Sequence, residues 1–172
     1  MIRMTENNRG IAALAFCAVL CCCALAHAVA PATTELLAKF PAQSAQDRDA
    51  LCAEAVKLGP DFILNEALAA STTPVFDAKV QFLLNGMADY VARPDAAEER
   101  KAFSATIAKA VADANTYLKA GSDDERKENI AFLMSLLQNV GDADCVEAIS
   151  PCLADDRLCD PAATALVSIH TP

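Results

Sequence analysis

The segment Pro74–Pro94, PVFDAKVQFLLNGMADYVARP, decides the fold class because its apolar residues recur at intervals of three or four. That spacing gathers them on one face of an α-helix. The apolar face consists of Phe76, Val80, Leu83, Leu84, Met87 and Val91. Similar stripes follow in the segments 95–121 and 122–141, and β-branched alternating runs are scarce. The sequence therefore predicts an all-α fold.

The composition agrees with helices packed through alanine and leucine. Of the 172 residues, 54% are apolar and only 5% are aromatic; tryptophan is absent and there are five glycines. Sheets would need more β-branched and aromatic residues. The formal net charge is −9 with no basic stripe. This charge argues against binding to nucleic acid, whose phosphates need clustered lysine and arginine, and against an anionic membrane surface.

Capping signals divide the chain into successive helices. Ser44 followed by Asp47, and Ser122 followed by Glu125, predict two helix starts. Asp160 before Pro161 predicts a third start.

Glycine and proline mark the helix ends and weak points. Gly59 and Gly141 are placed to end helices, and Gly86 inside a helix indicates a close approach of another helix. Pro60 suits the first turn of a new helix, whereas Pro151 would interrupt one.

The two glycine junctions also form a faint internal repeat. KLGPDFILNEALA around Gly59 and NVGDADCVEAISP around Gly141 share a helix end, an acidic turn and a second apolar helix. Their separation is about twice the unit length of HEAT and armadillo arrays, whose period is roughly 40–47 residues.

The N-terminus has the layout of a secretory signal peptide. Arginines precede an uncharged run over 11–25, and Ala26-His27-Ala28 places small residues where signal peptidase reads. We expect a signal peptide over 1–28, cleaved between Ala28 and Val29, and hence a periplasmic or secreted protein. An uncleaved membrane anchor or a lipoprotein signal remain alternatives. The expected mature chain has a short N-terminal helix or linker over 29–43 and a helical repeat domain over 44–172.

Three segments carry a resemblance to a known family: AQDRDALCAEAVKLGP, AKVQFLLNGMADYVARPDAAEERKAFSATIAKAV and LADDRLCDPAATALVSI. Together they resemble the N-terminal region, or a short member, of secreted bacterial HEAT-repeat proteins over most of 42–170. The resemblance implies a HEAT-like α-solenoid of antiparallel helix pairs, and it carries over no catalytic residue. Pro151 departs from the pattern, which favours an unbroken helix there.

Four cysteines follow the signal segment: Cys52, Cys145, Cys152 and Cys159. An even count in an oxidising compartment favours a disulfide, and Cys152–Cys159 would staple the turn LADDRL. Buried free thiols are the alternative. A Cys145–Cys152 bridge is disfavoured, since seven helical residues span about 10 Å. Neither zinc nor redox chemistry is favoured, because close cysteine pairs are missing and aspartates surround the thiols.

No motif for catalysis stands out. The chain has no G-x-S-x-G or H-E-x-x-H motif and no glycine-rich phosphate loop, and after the signal segment its one histidine is His170. Glu98–Glu99 and Asp123–Asp124–Glu125 suit helix first turns. Asp155, Asp156 and Asp160 could attract Ca²⁺ but lack the EF-hand spacing. We expect no enzyme activity, no cofactor and no metal.

The sequence thus favours a module that binds a protein partner, or a scaffold, exported to the cell envelope. Membrane contact is expected only for the signal segment. Two alternatives stay open. One is an accessory or regulatory module of a carbohydrate-active enzyme, since larger members of the resembled family are joined to hydrolase-type domains. The other is a structural domain stabilised by a disulfide or a metal.

Overall fold

The computed structural model describes residues 31–118 and 121–169, and within these ranges every regular element is a helix. The all-α prediction is confirmed. The predicted signal peptide, its cleavage site at Ala28 and Val29, and His170 lie outside the described residues. No helix within the described ranges is both long enough and apolar enough to cross a bilayer.

The first half of the described chain contains five α-helices. They are α1 (Pro31–Ala38), α2 (Ala45–Lys57), α3 (Gly59–Phe62), α4 (Ala78–Val91) and α5 (Ala97–Ala112). After α3 the chain continues as a π-helix over Ile63–Ala67 and a 3₁₀ turn over Leu68–Ala70.

The second half alternates long helices with short ones. Its α-helices are α6 (Ala114–Tyr117), α7 (Asp123–Val140), α8 (Val146–Ile149) and α9 (Cys159–Ser168). The short α8 lies between 3₁₀ turns at Ala143–Cys145 and Ser150–Ala154. Pro151 is in the second of these turns, so the predicted interruption of that helix is confirmed.

Most of the predicted helix boundaries are confirmed by the cap geometry. The Ser44 hydroxyl accepts the Asp47 backbone N–H at 3.1 Å, and the Ser122 hydroxyl accepts that of Glu125 at 3.2 Å. Gly59 has φ +81°, the left-handed conformation that suits glycine just after a helix. Pro60 lies in the first turn of α3, as predicted.

Two boundaries differ from the prediction. The helix α9 begins at Cys159, so Asp160 lies in its first turn and is not the N-cap. Asp155 organises this start instead, because its carboxylate accepts the Arg157 backbone N–H at 2.9 Å and its carbonyl accepts that of Cys159 at 2.8 Å.

The predicted helix over 95–121 is also shorter than expected. The helix α5 ends at Ala112, and Asp113 has φ −118° and ψ 47°. The Asp113 carboxylate accepts a hydrogen bond from the Thr116 hydroxyl at 2.9 Å. Such a local bond competes with continuation of the helix.

Three long helices form one side of the molecule, which we call layer A: α4, α7 and α9. The segment before α4 is hydrogen-bonded to Asn129 near the start of α7, so α4 and α7 begin side by side. The starts of α7 and α9 are joined by an ion pair of 2.8 Å between Lys127 and Asp155. At their ends, Ile169 packs against Gly141. The three helices therefore run in the same direction.

The second side, layer B, consists of the segment 59–70, α5 and the segment 143–154. Both flanking segments pack on α5. The start of α5 lies beside the end of α7, where Lys101 and Asp144 approach to 4.0 Å. Helix α5 therefore runs opposite to α7. The two stretches that echo each other in sequence thus occupy corresponding positions on either side of α5.

The helices α1 and α2 cover one end of these layers. The start of α2 meets the end of α4, where Cys52 packs on Gly86 and Asp49 pairs with Arg93. The helix α2 is therefore not related to α4 as α7 is to α9, and the internal repeat does not extend to α2. Leu36 of α1 is 1% exposed, so the N-terminal helix belongs to the common core.

Candidate interaction surface

A small apolar hollow opens where the end of α2, the segment 59–70 and the start of α5 meet. We call it the α2–α5 hollow, and its volume is about 70 Å³. Apolar side chains form most of its wall, namely Val56, Pro60, Ile63, Met87, Ala102 and Phe103. The base is well packed, because Ile63, Met87 and Phe103 are each at most 3% exposed. The hollow thus combines a rigid floor with an accessible mouth.

The mouth of the hollow carries one charged side chain, Glu99. Glu99 is exposed and in the first turn of α5, and so is its neighbour Glu98, which does not line the hollow. Asp61 is exposed beside Pro60. Among the described residues, none of these three carboxylates takes part in an ion pair. They remain available to a cation from outside.

The turn at Gly59 shapes this hollow. Its left-handed backbone sends the chain abruptly from α2 into α3, and no atom lies within 4 Å of where a β-carbon would stand. Leu58, directly before it, is 44% exposed although it is a large apolar residue. Leu58 does not line the hollow, but it directly precedes Gly59, which does.

Two larger depressions lie near α1 but are less suited to binding. One, of about 270 Å³, includes Thr72 and Asp77, whose polar atoms are already hydrogen-bonded to each other at 3.1 Å. The other, of about 390 Å³, is lined largely by exposed polar side chains such as Lys39, Gln43 and Asp47. The first includes one buried apolar residue, Val80, and the second none, whereas three buried apolar side chains form the floor of the α2–α5 hollow.

The four cysteines are free thiols in this structure. Cys52 and Cys145 are buried, whereas Cys152 and Cys159 are partly exposed on either side of the turn at Asp155. Burial raises the pKa of the Cys52 thiol to about 11, and burial also raises the pKa of Cys145 and Cys152. A raised pKa keeps a thiol protonated and poorly nucleophilic. The Cys152–Cys159 disulfide stays a prediction.

A cluster of ion pairs covers Cys52. Arg48 approaches Asp89 at 3.7 Å and Asp49 at 3.4 Å, and Arg93 pairs with Asp49 at 2.5 Å. The hydrogen bond from Arg93 holds the pKa of Asp49 below its usual value. These contacts join α2 to α4, and exposed pairs of this kind contribute little stability individually. The cluster therefore serves helix docking.

The acidic turn near Cys152 is occupied by cations of the protein itself. Lys127 approaches Asp155 at 2.8 Å and Asp123 at 3.0 Å, and Arg157 pairs with Asp124. The Lys127 hydrogen bond is the main cause of the lowered pKa of Asp155. Within the described ranges, no three histidine, cysteine or acidic side chains come together as metal ligands.

Asn129 fixes the loop before α4. Its side chain is 1% exposed; its carbonyl oxygen accepts the Phe76 N–H at 2.9 Å and its amide donates to the Pro74 carbonyl at 2.9 Å. Both polar ends of the buried amide are therefore satisfied by backbone, which makes a structural role sufficient for this residue.

Comparison with known proteins adds no family: no protein-family description, curated protein or solved structure matches the chain.

Sequence reasoning identified the turn at Gly59 and Pro60 but not the hollow beside it. The wall joins α2, α4 and α5, whose order in space is not encoded in any local pattern. The available signals were the exposed Leu58 within an apolar-Gly-Pro run and an acidic residue, Glu99, four positions before Phe103 on the α5 stripe. These signals suit a helix end and a helix start equally well.

Proposed function

We propose that this chain is a non-enzymatic module that binds a protein partner in the cell envelope, built as a HEAT-like array of helix pairs. The α2–α5 hollow is the observation that carries the proposal. It is an apolar, partly open site with a well-packed floor, next to an exposed leucine. The hollow is smaller than a small-molecule pocket, but it offers an apolar surface on which one side chain of a partner can be buried.

The packing of the helices supports the HEAT-like part of the proposal. A stack of helix pairs would place three parallel helices in one layer and three successive segments in the other, and layers A and B are consistent with that arrangement. Arrays of this type present extended surfaces made of equivalent helices, and they bind partners along one layer. The hollow lies between the first two segments of layer B.

The burial, pKa values and ion pairs of the potentially reactive side chains support a non-enzymatic role. Two thiols are buried, three have a raised pKa, and Asp49, Asp123, Asp124 and Asp155 are held in ion pairs. Reactive cysteines are accessible and have a lowered pKa, whereas buried cysteines with a raised pKa are inert. Export to the envelope rests on the predicted signal peptide over 1–28.

Affinity capture from the envelope fraction tests the proposal. The bait is the chain from Val29 onward, compared with Ala102→Trp, which fills the mouth of the hollow. Ala105→Trp is the matched control, because Ala105 is equally exposed on α5 but does not line the hollow. Thermal unfolding of both variants verifies that they fold.

We expect the same protein to be captured by the wild type and by Ala105→Trp, and to be lost with Ala102→Trp. Equal capture by all three baits, or capture of no protein by the wild type, would overturn the proposal.

A further inference from the structure

We infer that the α2–α5 hollow receives an aliphatic side chain from a partner segment that carries lysine or arginine next to that side chain. The inference rests on the proposed function and specifies the chemistry of the partner.

The size of the hollow sets the apolar part of the ligand. An engineered apolar cavity of about 150 Å³ holds a benzene molecule. The hollow, of about 70 Å³, is smaller than that cavity and suits the end of one aliphatic chain. Its floor of Ile63, Met87 and Phe103 offers only apolar atoms. Burial of an apolar group against such a floor is favourable in proportion to the area removed from water.

The charge at the mouth sets the polar part. Glu99 is the single charged side chain in the lining, it is exposed, and Glu98 and Asp61 add negative charge close by. None of them is neutralised by an ion pair among the described residues. A cation that follows the inserted side chain would meet Glu99, whereas a carboxylate there would be repelled. Charged groups at the rim of an interface select partners in this way.

The charge of the whole chain acts in the same direction. With a formal net charge of −9, the protein attracts cationic segments at a distance and repels acidic ones. Long-range attraction raises the rate of association with a basic partner, while the hollow fixes where it binds.

Selection from a random dodecapeptide library displayed on phage tests the inference. The target is again the chain from Val29 onward. We expect enriched peptides in which a leucine, isoleucine, valine or methionine is flanked by lysine or arginine. A selected peptide, labelled with fluorescein, then reports the affinity by fluorescence polarisation.

Charge reversal provides the matched comparison. Glu99→Lys and Glu98→Lys make the same change of net charge in the same first turn of α5, so they perturb the helix dipole equally. We expect Glu99→Lys to weaken the selected peptide about three- to fivefold, the size of one exposed ion pair, and to select acidic flanks in a new experiment. Glu98→Lys should weaken the peptide less than Glu99→Lys does and should keep the preference for basic flanks, because Glu98 does not line the hollow.

Two outcomes contradict the inference. Enriched peptides without basic flanks, or equal weakening by Glu99→Lys and Glu98→Lys, would show that Glu99 does not choose the partner. If capture from the envelope still depends on Ala102 while either outcome occurs, the proposed function stands and only the partner chemistry fails. Loss of both would overturn the function as well.

Discussion

Asn129 shows how a single buried side chain fixes a loop that sequence reasoning treated only as a connection. Its two hydrogen bonds join α7 to residues 74 and 76, 55 and 53 positions away. We expect Asn129→Ala to lower the free energy of unfolding by about 1–3 kcal/mol, because the backbone groups of Phe76 and Pro74 lose their partner. Chemical denaturation measures the change.

Asn139→Ala is the control for this prediction, because Asn139 is exposed on the same helix. Its stability should stay within about 0.5 kcal/mol of the wild type. Equal effects of the two substitutions would show that the loop is not held by Asn129.

The sequence predicted the role of Gly86, which is to allow another helix to approach closely. A β-carbon at this position would lie 2.6 Å from the Cys52 sulfur, so the glycine allows α2 and α4 to approach closely. We expect Gly86→Ala to destabilise the protein by about 1–3 kcal/mol through overpacking, although alanine favours a helix.

A second substitution separates these two effects. In a Cys52→Ala background the sulfur is gone, and Gly86→Ala should then stabilise by up to about 1 kcal/mol. The sign change is measured with a double-mutant cycle of unfolding free energies. The same sign in both backgrounds would mean that the contact with Cys52 is unimportant.

The start of helix α4 depends on the ionised form of Asp77. Its carboxylate accepts the backbone N–H groups of Lys79 and Val80 at 3.1 Å and also bonds Thr72. Burial alone would raise the pKa of Asp77, but these hydrogen bonds together outweigh burial and lower it. The stabilisation is therefore complete above the ordinary carboxyl pKa and is lost as pH falls through the lowered one.

The Asp77→Asn substitution keeps a side-chain oxygen that can cap the helix, but the amide does not titrate in the acidic range. We expect wild type to be the more stable of the two at about pH 6 and to lose this advantage progressively as pH falls below the ordinary aspartate pKa near 3.9 and through the lowered pKa of Asp77. Thermal unfolding across this range measures the difference. Parallel curves for the two proteins would exclude a role for ionised Asp77.

The predicted disulfide between Cys152 and Cys159 would lie at the turn between α8 and α9. Cys152 and Cys159 lie on either side of Asp155, whose backbone bonds to both: its N–H to the Cys152 carbonyl at 3.2 Å and its carbonyl to the Cys159 N–H at 2.8 Å. In the exported protein we expect a Cys152–Cys159 disulfide, which would stabilise by about 2–3 kcal/mol for so short a loop.

Thiol titration in denaturant, before and after reduction, tests the disulfide. The unreduced protein should show two free thiols, Cys52 and Cys145, and the reduced protein four. Four free thiols before reduction would leave the cysteines as separate buried and half-buried groups.

The sequence predicted the helix boundaries at Ser44, Ser122 and Gly59 correctly, but it did not predict the start of α9 correctly. Ser44, Ser122 and Gly59 act through bonds within three or four residues, so the sequence alone identifies them. At α9 the prediction chose Asp160, because an aspartate before proline is a common cap. The turn at Asp155 starts the helix earlier than predicted. Pro161 is tolerated at this position too, because a residue in the first turn of a helix does not need a backbone N–H.

On the scale of the whole molecule, the all-α class followed from apolar periodicity, but the arrangement in layers did not. The faint repeat around Gly59 and Gly141 corresponds to two segments of layer B on either side of α5. The packing of α2 alongside α4, in the opposite direction, is set by the Gly86–Cys52 contact and by ion pairs such as Asp49–Arg93. These long-range contacts create the α2–α5 hollow.

Photo-crosslinking in living cells tests the binding role of this hollow most directly. A benzophenone amino acid replaces Leu58, which is exposed directly before the turn at Gly59 beside the hollow and does not line it, and in a second variant Thr164, which is exposed on α9. We predict that irradiation joins a partner protein to position 58 and not to position 164. Crosslinking at 164 alone, or at neither position, would contradict the assignment of the hollow as the binding site.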